Sequence, residues 1–138
     1  MASDKLTLKL VSPEKIVEES QVEMVVVPGM DGDFGVLPHH SMLISALRAG
    51  TIAIFENGQV VKRIFVADGF AEVNDKACTI LVEQAWDLST LTADDLNNQI
   101  QDYQDELASK LSEDEKQATL IAMHHMQACL AALQNPVY

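Results

Sequence analysis

The sequence predicts an α+β protein: an antiparallel β-sandwich or flattened barrel, then an antiparallel two-helix hairpin. Two observations carry this. Up to residue 86 the chain is a succession of short apolar or alternating runs broken by Gly, Asn and Pro, the pattern of an antiparallel sheet protein. After Trp86 glycine disappears, and Ala, Gln, Asp and Leu recur at helical spacing. The 138 residues suffice for one compact unit or two very small ones. The expected division is a sandwich over 1–86 and a hairpin over 87–138.

Leu6, Leu8 and Leu10 alternate with Thr7 and Lys9, which places the leucines on a core face. Ser12-Pro13-Glu14-Lys15 is a turn. Ile16 to Val27 reads as one long strand, interrupted near Glu18-Glu19-Ser20. Its end, Val25-Val26-Val27, cannot alternate and is read as buried on both faces. Asp31-Gly32 is a hairpin signal between that run and Phe34–Leu37, because type I′ turns need positive φ. Pro38 stops the returning strand, and a loop then carries His39 and His40. Met42–Leu47 is a short apolar run. Thr51–Phe55 and Val60–Val66 flank Asn57-Gly58, the strongest hairpin signal in the chain. Asp68-Gly69 is expected to turn before Phe70–Val73, and Asn74-Asp75 before Cys78–Val82.

Thr92 with Asp95 can cap a first helix, and Ser112 with Glu115 forms a capping box for a second. Leu96, Ile100, Tyr103, Leu107 and Leu111 form one narrow apolar stripe. The second helix is broadly apolar and ends at Asn135-Pro136. At 1.5 Å per residue the two helices are about 27 and 33 Å long.

Several function classes are disfavoured. Nine Lys and Arg against 21 Asp and Glu leave a net charge of −12, so nucleic acid is not an expected partner and anionic lipid is not a direct one. Met1-Ala2-Ser3-Asp4-Lys5 has neither the basic nor the apolar region of a secretory leader. No apolar run reaches the length of about 18 residues that a membrane-spanning helix needs. Cys78 and Cys129 read as buried free thiols in a reducing compartment. Adjacent histidines on a helix diverge by about 100°, so His124 and His125 read as surface or interface imidazoles, and no metal is expected. Asp31-Gly32-Asp33 lacks the further oxygens of a calcium loop. The glycines of this stretch lack the Lys-Ser/Thr pair and following helix of a phosphate loop. No Gly-x-Ser-x-Gly is present, and the paired carboxylates sit at helix starts or on polar faces. No catalytic residue and no cofactor are expected.

Val27-Pro28-Gly29-x-x-Gly32-Asp33-x-Gly35-Val36-Leu37-Pro38-x-His40 resembles the signature of the epsilon subunit of F-type ATP synthases, the delta subunit in mitochondria. Val11-Ser12-Pro13-Glu14, Leu47-x-x-Gly50, Gly69-Phe70-Ala71-Glu72-Val73 and Ile80-Leu81-Val82-Glu83-x-Ala85 follow in the family's order. The resemblance is tight over roughly the first 86 residues and loose beyond. It implies a non-catalytic rotor subunit of the proton-translocating complex, peripheral to the cytoplasmic face of a bacterial inner membrane, with the mitochondrial matrix face as the alternative. The sandwich would bind the gamma subunit and the polar loops of the c ring. The hairpin would fold down or reach the alpha and beta subunits of the catalytic head. Asp33 matches the acidic position approaching the c ring, and His40 the loop against gamma and the ring. Asp31 and His39 beside them complete the expected partner-binding set.

The chain departs from the family where His39 replaces a small residue, Ser41-Met42 replaces Ala-Pro, and Asp68 replaces a glycine. Some members bind ATP through an Ile/Leu-Asp-x-x-Arg-Ala pattern opening the first helix. Here the run is Leu91-Thr92-Ala93-Asp94-Asp95-Leu96, with Asp95 in the arginine's place. The hairpin is therefore expected to bind no ATP and to inhibit weakly. The alternative reading is a free-standing regulatory or adaptor module that reuses the fold.

Overall fold

A computed structural model of the chain describes residues 4–109 and 111–138. Met1, Ala2 and Ser3, part of the stretch tested for a leader, lie outside the described residues. The chain divides into two units, one holding the residues up to Asp87 together with Tyr138, the other Leu88–Val137.

The first unit contains β1 (Leu6–Val11), β2 (Ile16–Val22), β3 (Met24–Gly29), β4 (Gly32–Val36), β5 (Leu43–Leu47), β6 (Gly50–Glu56), β7 (Gln59–Val73) and β8 (Ala77–Asp87). Their ladders run β2-β1-β8-β7-β5-β3-β4, with β6 pairing both β3 and β7. β7 is the hinge of this arrangement. Its first half pairs with β6 from Gly50↔Val66 to Glu56↔Gln59, and its second half with β5 from Leu47↔Gly69 to Leu43↔Val73. A single pair, Gly29↔Leu47, joins β3 to β5 and makes the sheet a flattened barrel. The interior is filled by Leu6, Leu8, Leu10, Val25, Val27, Ile52, Ile64, Val66, Val73 and Ile80, all fully buried or nearly so. Val25, Val26 and Val27 are all buried, as an unbroken β-branched run requires.

Four local readings change. The Ile16–Val27 stretch is two strands broken at Glu23, not near Glu18–Ser20. Glu18, Glu19 and Ser20 stay in the ladder with Leu10, Lys9 and Leu8 on the edge strand β2: Glu19 faces outward beside Lys9, and Glu18, on the face of Leu10, is held by Lys62 Nζ at 2.7 Å. The turn after Val27 is closed by Gly29↔Gly32, so its central residues are Met30 and Asp31, one position earlier than expected. Asp68-Gly69 does not turn. Asp68 takes a left-handed φ of 54° and bends β7, which continues to Val73 without losing register with β8. Finally, one ladder is parallel: β1 runs alongside β8 from Thr7↔Ala77 to Val11↔Leu81. The whole intervening sheet connects these two strands, so no hairpin imposes an antiparallel sense on them. The Asn57-Gly58 turn is as read, with φ of 54° and 74°, the pair of positive values a type I′ turn demands.

The second unit opens with one turn of 3₁₀ helix at Leu88–Thr90 and contains α1 (Ala93–Ala108) and α2 (Glu113–Gln134), packed as a hairpin. Thr92 Oγ1 accepts the Asp95 amide at 3.1 Å. Ser112 and Glu115 make the reciprocal box, with bonds of 3.2 and 3.3 Å. Leu96, Met126 and Cys129 are buried. Both cysteines are free and buried, and burial pushes each thiol up to about 12, which removes the reactive thiolate at neutral pH.

Candidate partner-binding surface

Two features of the first unit form the candidate surface: the β3–β4 turn, and one outward face of the sheet. The turn is tight because its glycines leave no room. A Cβ on Gly29 would sit 2.8 Å from the Gly32 carbonyl oxygen and 2.9 Å from the Phe34 ring. Gly32 has a φ of 136°, open to glycine alone at low cost. Arg48, just after β5, braces the turn. Its amide donates to the Pro28 carbonyl at 3.0 Å, and its guanidinium donates to the Gly29 carbonyl at 2.5 Å and to Asp33 Oδ1. Tyr138 Oη donates to Asp33 Oδ2 at 2.6 Å. Burial raises the Asp33 carboxyl, but the Tyr138 and Arg48 hydrogen bonds and the Arg48 charge outweigh it and hold the group below the usual range. Asp31 stays exposed at the tip.

His39 and His40 lie elsewhere. β4 is five residues long, about 16 Å of extended chain, and the two histidines follow it. His39 has a left-handed φ of 67°. Its amide donates to the Asp75 carbonyl at 2.7 Å, and its Nε2 lies 2.7 Å from Asp4 Oδ2. His40 Nδ1 donates to the Ser41 carbonyl at 2.7 Å. The structure therefore groups Asp31 with Asp33 beside Leu47, and His39 with His40 beside the β7–β8 turn. The register of β5 separates the groups: Leu47 pairs with Gly69 and Leu43 with Val73. Asp33 and His40 come from one short stretch of sequence, yet they do not share an end of the sandwich, because extended β4 runs between them.

The second feature was missed at the sequence level. Four ladders place Ala46↔Phe70, Phe70↔Leu81, Leu81↔Val11 and Val11↔Ile16 side by side. Laterally paired residues share a face, so these five side chains form one apolar row across the sheet. The row points outward: Phe70 is 47% exposed, Leu81 40% and Ile16 53%. Ile44 and Met42 extend it at 74% and 85%. Over its centre lies a mostly apolar hollow of about 250 Å³ whose lining includes Val11, Pro13, Gly69, Phe70 and Leu81 together with Asp68 and Glu83. Gly69 has to be glycine, because a Cβ there would lie 2.1 Å from the Leu81 carbonyl oxygen. The readable signal was a phase error: Phe70, Leu81 and Ile44 are apolar on the outward phase of strands whose inward phase is already apolar. Arg48 was missed for a different reason, since its pairing with Asp33 depends on β5 lying beside the turn.

Among the described residues no group of three or more His, Cys, Asp or Glu converges as a metal site, and no helix is long and apolar enough to cross a membrane. A small sandwich with an exposed apolar row and a braced acidic turn defines a protein whose surface is built for contact with other proteins.

Residues 5–87 match the family model described as ATP synthase, Delta/Epsilon chain, beta-sandwich domain. The chain is 45% identical over 124 residues to an ATP synthase epsilon chain of Rhodospirillum rubrum, covering 90% of this chain and 92% of that one. It is 47% identical over 121 residues to an ATP synthase epsilon chain of Rhodospirillum centenum, covering 84% and 83%. Its fold is similar to a chain in the Euglena gracilis mitochondrial ATP synthase, with a TM-score of 0.71, 21% identity, and coverage of 95% of this chain and 82% of that one. A second fold match is a chain of the Tetrahymena thermophila mitochondrial ATP synthase central stalk and c ring, with a TM-score of 0.60, 15% identity, and coverage of 96% and 99%. The chain belongs to the ATP synthase delta/epsilon family.

Proposed function

We propose that this chain is a non-catalytic rotor subunit of an F-type ATP synthase, linking the c ring to the gamma shaft from the cytoplasmic face of a bacterial membrane. It reaches the membrane only through the complex. The observation that carries the reading is the outward apolar row on the unit that the family model covers. A monomer has no use for such a row, and a stalk partner covers it. We assign the row and the His39–His40 loop to gamma, and the Asp31–Asp33 turn to the polar loops of the c ring. Domain boundaries at 1–86 and 87–138 follow, with the first part as the coupling body. The test is add-back. Membranes stripped of their own copy should regain ATP-driven proton pumping with the wild-type chain and regain less with Asp33→Arg. No recovery with the wild type contradicts the reading.

The hairpin is assigned no nucleotide. Thr92 caps α1, and Asp94 and Asp95 fill its first turn, so a triphosphate approaching there meets two carboxylates. Calorimetry with millimolar ATP should show no binding. Contact of α2 with the alpha and beta subunits would lack basic support, since Lys116 is paired with Glu113 at 3.9 Å and shares the first turn with the carboxylates Asp114 and Glu115. Deleting 89–138 should change ATP hydrolysis by the assembled enzyme only slightly. Strong activation on deletion contradicts weak inhibition.

A further inference from the structure

Asp33 is not free to meet a partner. Arg48 holds Oδ1 and the Tyr138 phenol holds Oδ2. Three contacts seat Tyr138 there. Its hydroxyl donates to Asp33, its carbonyl accepts from the Arg63 guanidinium, and its ring meets the edge of Phe55 with centroids 6.1 Å apart at 71°. The two donors differ in kind. Arg48 is bound at the same time to the Gly29 carbonyl, so it belongs to the turn. Tyr138 lies 105 residues away in sequence, and no strand pairing holds it.

We propose that Tyr138 is an intramolecular competitor for the Asp33 carboxylate, so that a partner's donor reaches Oδ2 only by displacing the phenol. The incoming group is a neutral or cationic hydrogen-bond donor such as a side-chain amide or guanidinium, because a carboxylate acceptor has nothing to offer an acid. Arg48 stays in place during the exchange and presents the carboxylate in the same orientation. The contact thus acts as a guard that keeps the acid satisfied in the free chain and yields it on assembly. This rests on the assignment of Asp33 to the c-ring contact.

The experiment compares the full wild-type chain with Tyr138→Phe and Asp33→Ala. Each is titrated onto stripped membranes that retain gamma and the c ring, and the free chains are examined by NMR. Phenylalanine keeps the ring on Phe55 and removes only the competing hydroxyl. Tyr138→Phe should bind about two- to tenfold more tightly, the range of one net hydrogen bond. Asp33→Ala should bind more weakly, and the free wild-type chain should show a ring-to-ring Overhauser contact between Tyr138 and Phe55. Unchanged affinity in Tyr138→Phe together with weakened Asp33→Ala overturns the guard and leaves the c-ring assignment standing. Unchanged affinity in Asp33→Ala overturns the c-ring assignment and the guard with it. A missing Tyr138–Phe55 contact in the free chain overturns the guard whatever the affinities.

Discussion

Replacing Phe70 and Leu81 together by glutamate should lower the affinity of the chain for gamma by about two orders of magnitude. Taking a large apolar side chain from full exposure to burial is worth about 1.5–3 kcal/mol, and the 47% of Phe70 and 40% of Leu81 that are exposed carry roughly 1.3–2.6 kcal/mol of that together. Each tenfold in affinity is about 1.4 kcal/mol, and the cost of burying two carboxylates supplies the rest. The new carboxylates also join Asp68, Glu72 and Glu83, which already make the surroundings of the row acidic. Thermal melting separates this from unfolding. Both side chains already face solvent, and surface changes usually stay within about 0.5 kcal/mol each. A stable double variant that binds gamma normally would move the gamma contact off this face. A collapsed melt would make the row structural.

Leu8→Ala should have the largest effect on stability, about 2–5 kcal/mol. Leu8 is fully buried at the centre of β1, between Ser20 of β2 and Cys78 of β8. The strands on both sides fix its backbone, so the site cannot collapse into the cavity left behind. For a unit of this size each kcal/mol lowers the melting temperature by roughly 4–8 °C. The Thr7→Ala control lies on the other face of the same strand and should shift it far less. Equal losses in the two variants would contradict the assignment of the β1 faces.

Most of the fold was legible because it is written in short-range chemistry. Alternation at Leu6, Leu8 and Leu10, the Asn57-Gly58 turn, and the Thr92 and Ser112 caps each need only neighbours in sequence. The misreadings have one cause in common: they depend on which strand lies alongside. Asp68-Gly69 has turn composition, yet β7 stays in register with β8 on both sides of it. Glu18–Ser20 looks like a break, yet β1 pairs with all three residues. The candidate site shows the same division. Asp31, Asp33, His39 and His40 are candidates that one stretch of sequence singles out. That stretch could not reveal that β4 holds them apart, that Arg48 and Tyr138 share the oxygens of Asp33, or that Phe70, Leu81, Val11 and Ile16 line up in a row. The row exists only once four ladders are in register, and the Asp33 contacts only once Arg48 and Tyr138 are folded against the turn.

The central claim is that this chain works as a stalk subunit and not as a free-standing adaptor that reuses the fold. Purification from detergent-solubilised membranes through a tag on the chain, with quantitative mass spectrometry of what comes with it, tests that most directly. The account predicts gamma in equal amount to the chain, with c subunits and the catalytic head accompanying it, and gamma lost when Phe70 and Leu81 are both glutamate. Recovery of the wild-type chain without gamma would contradict it.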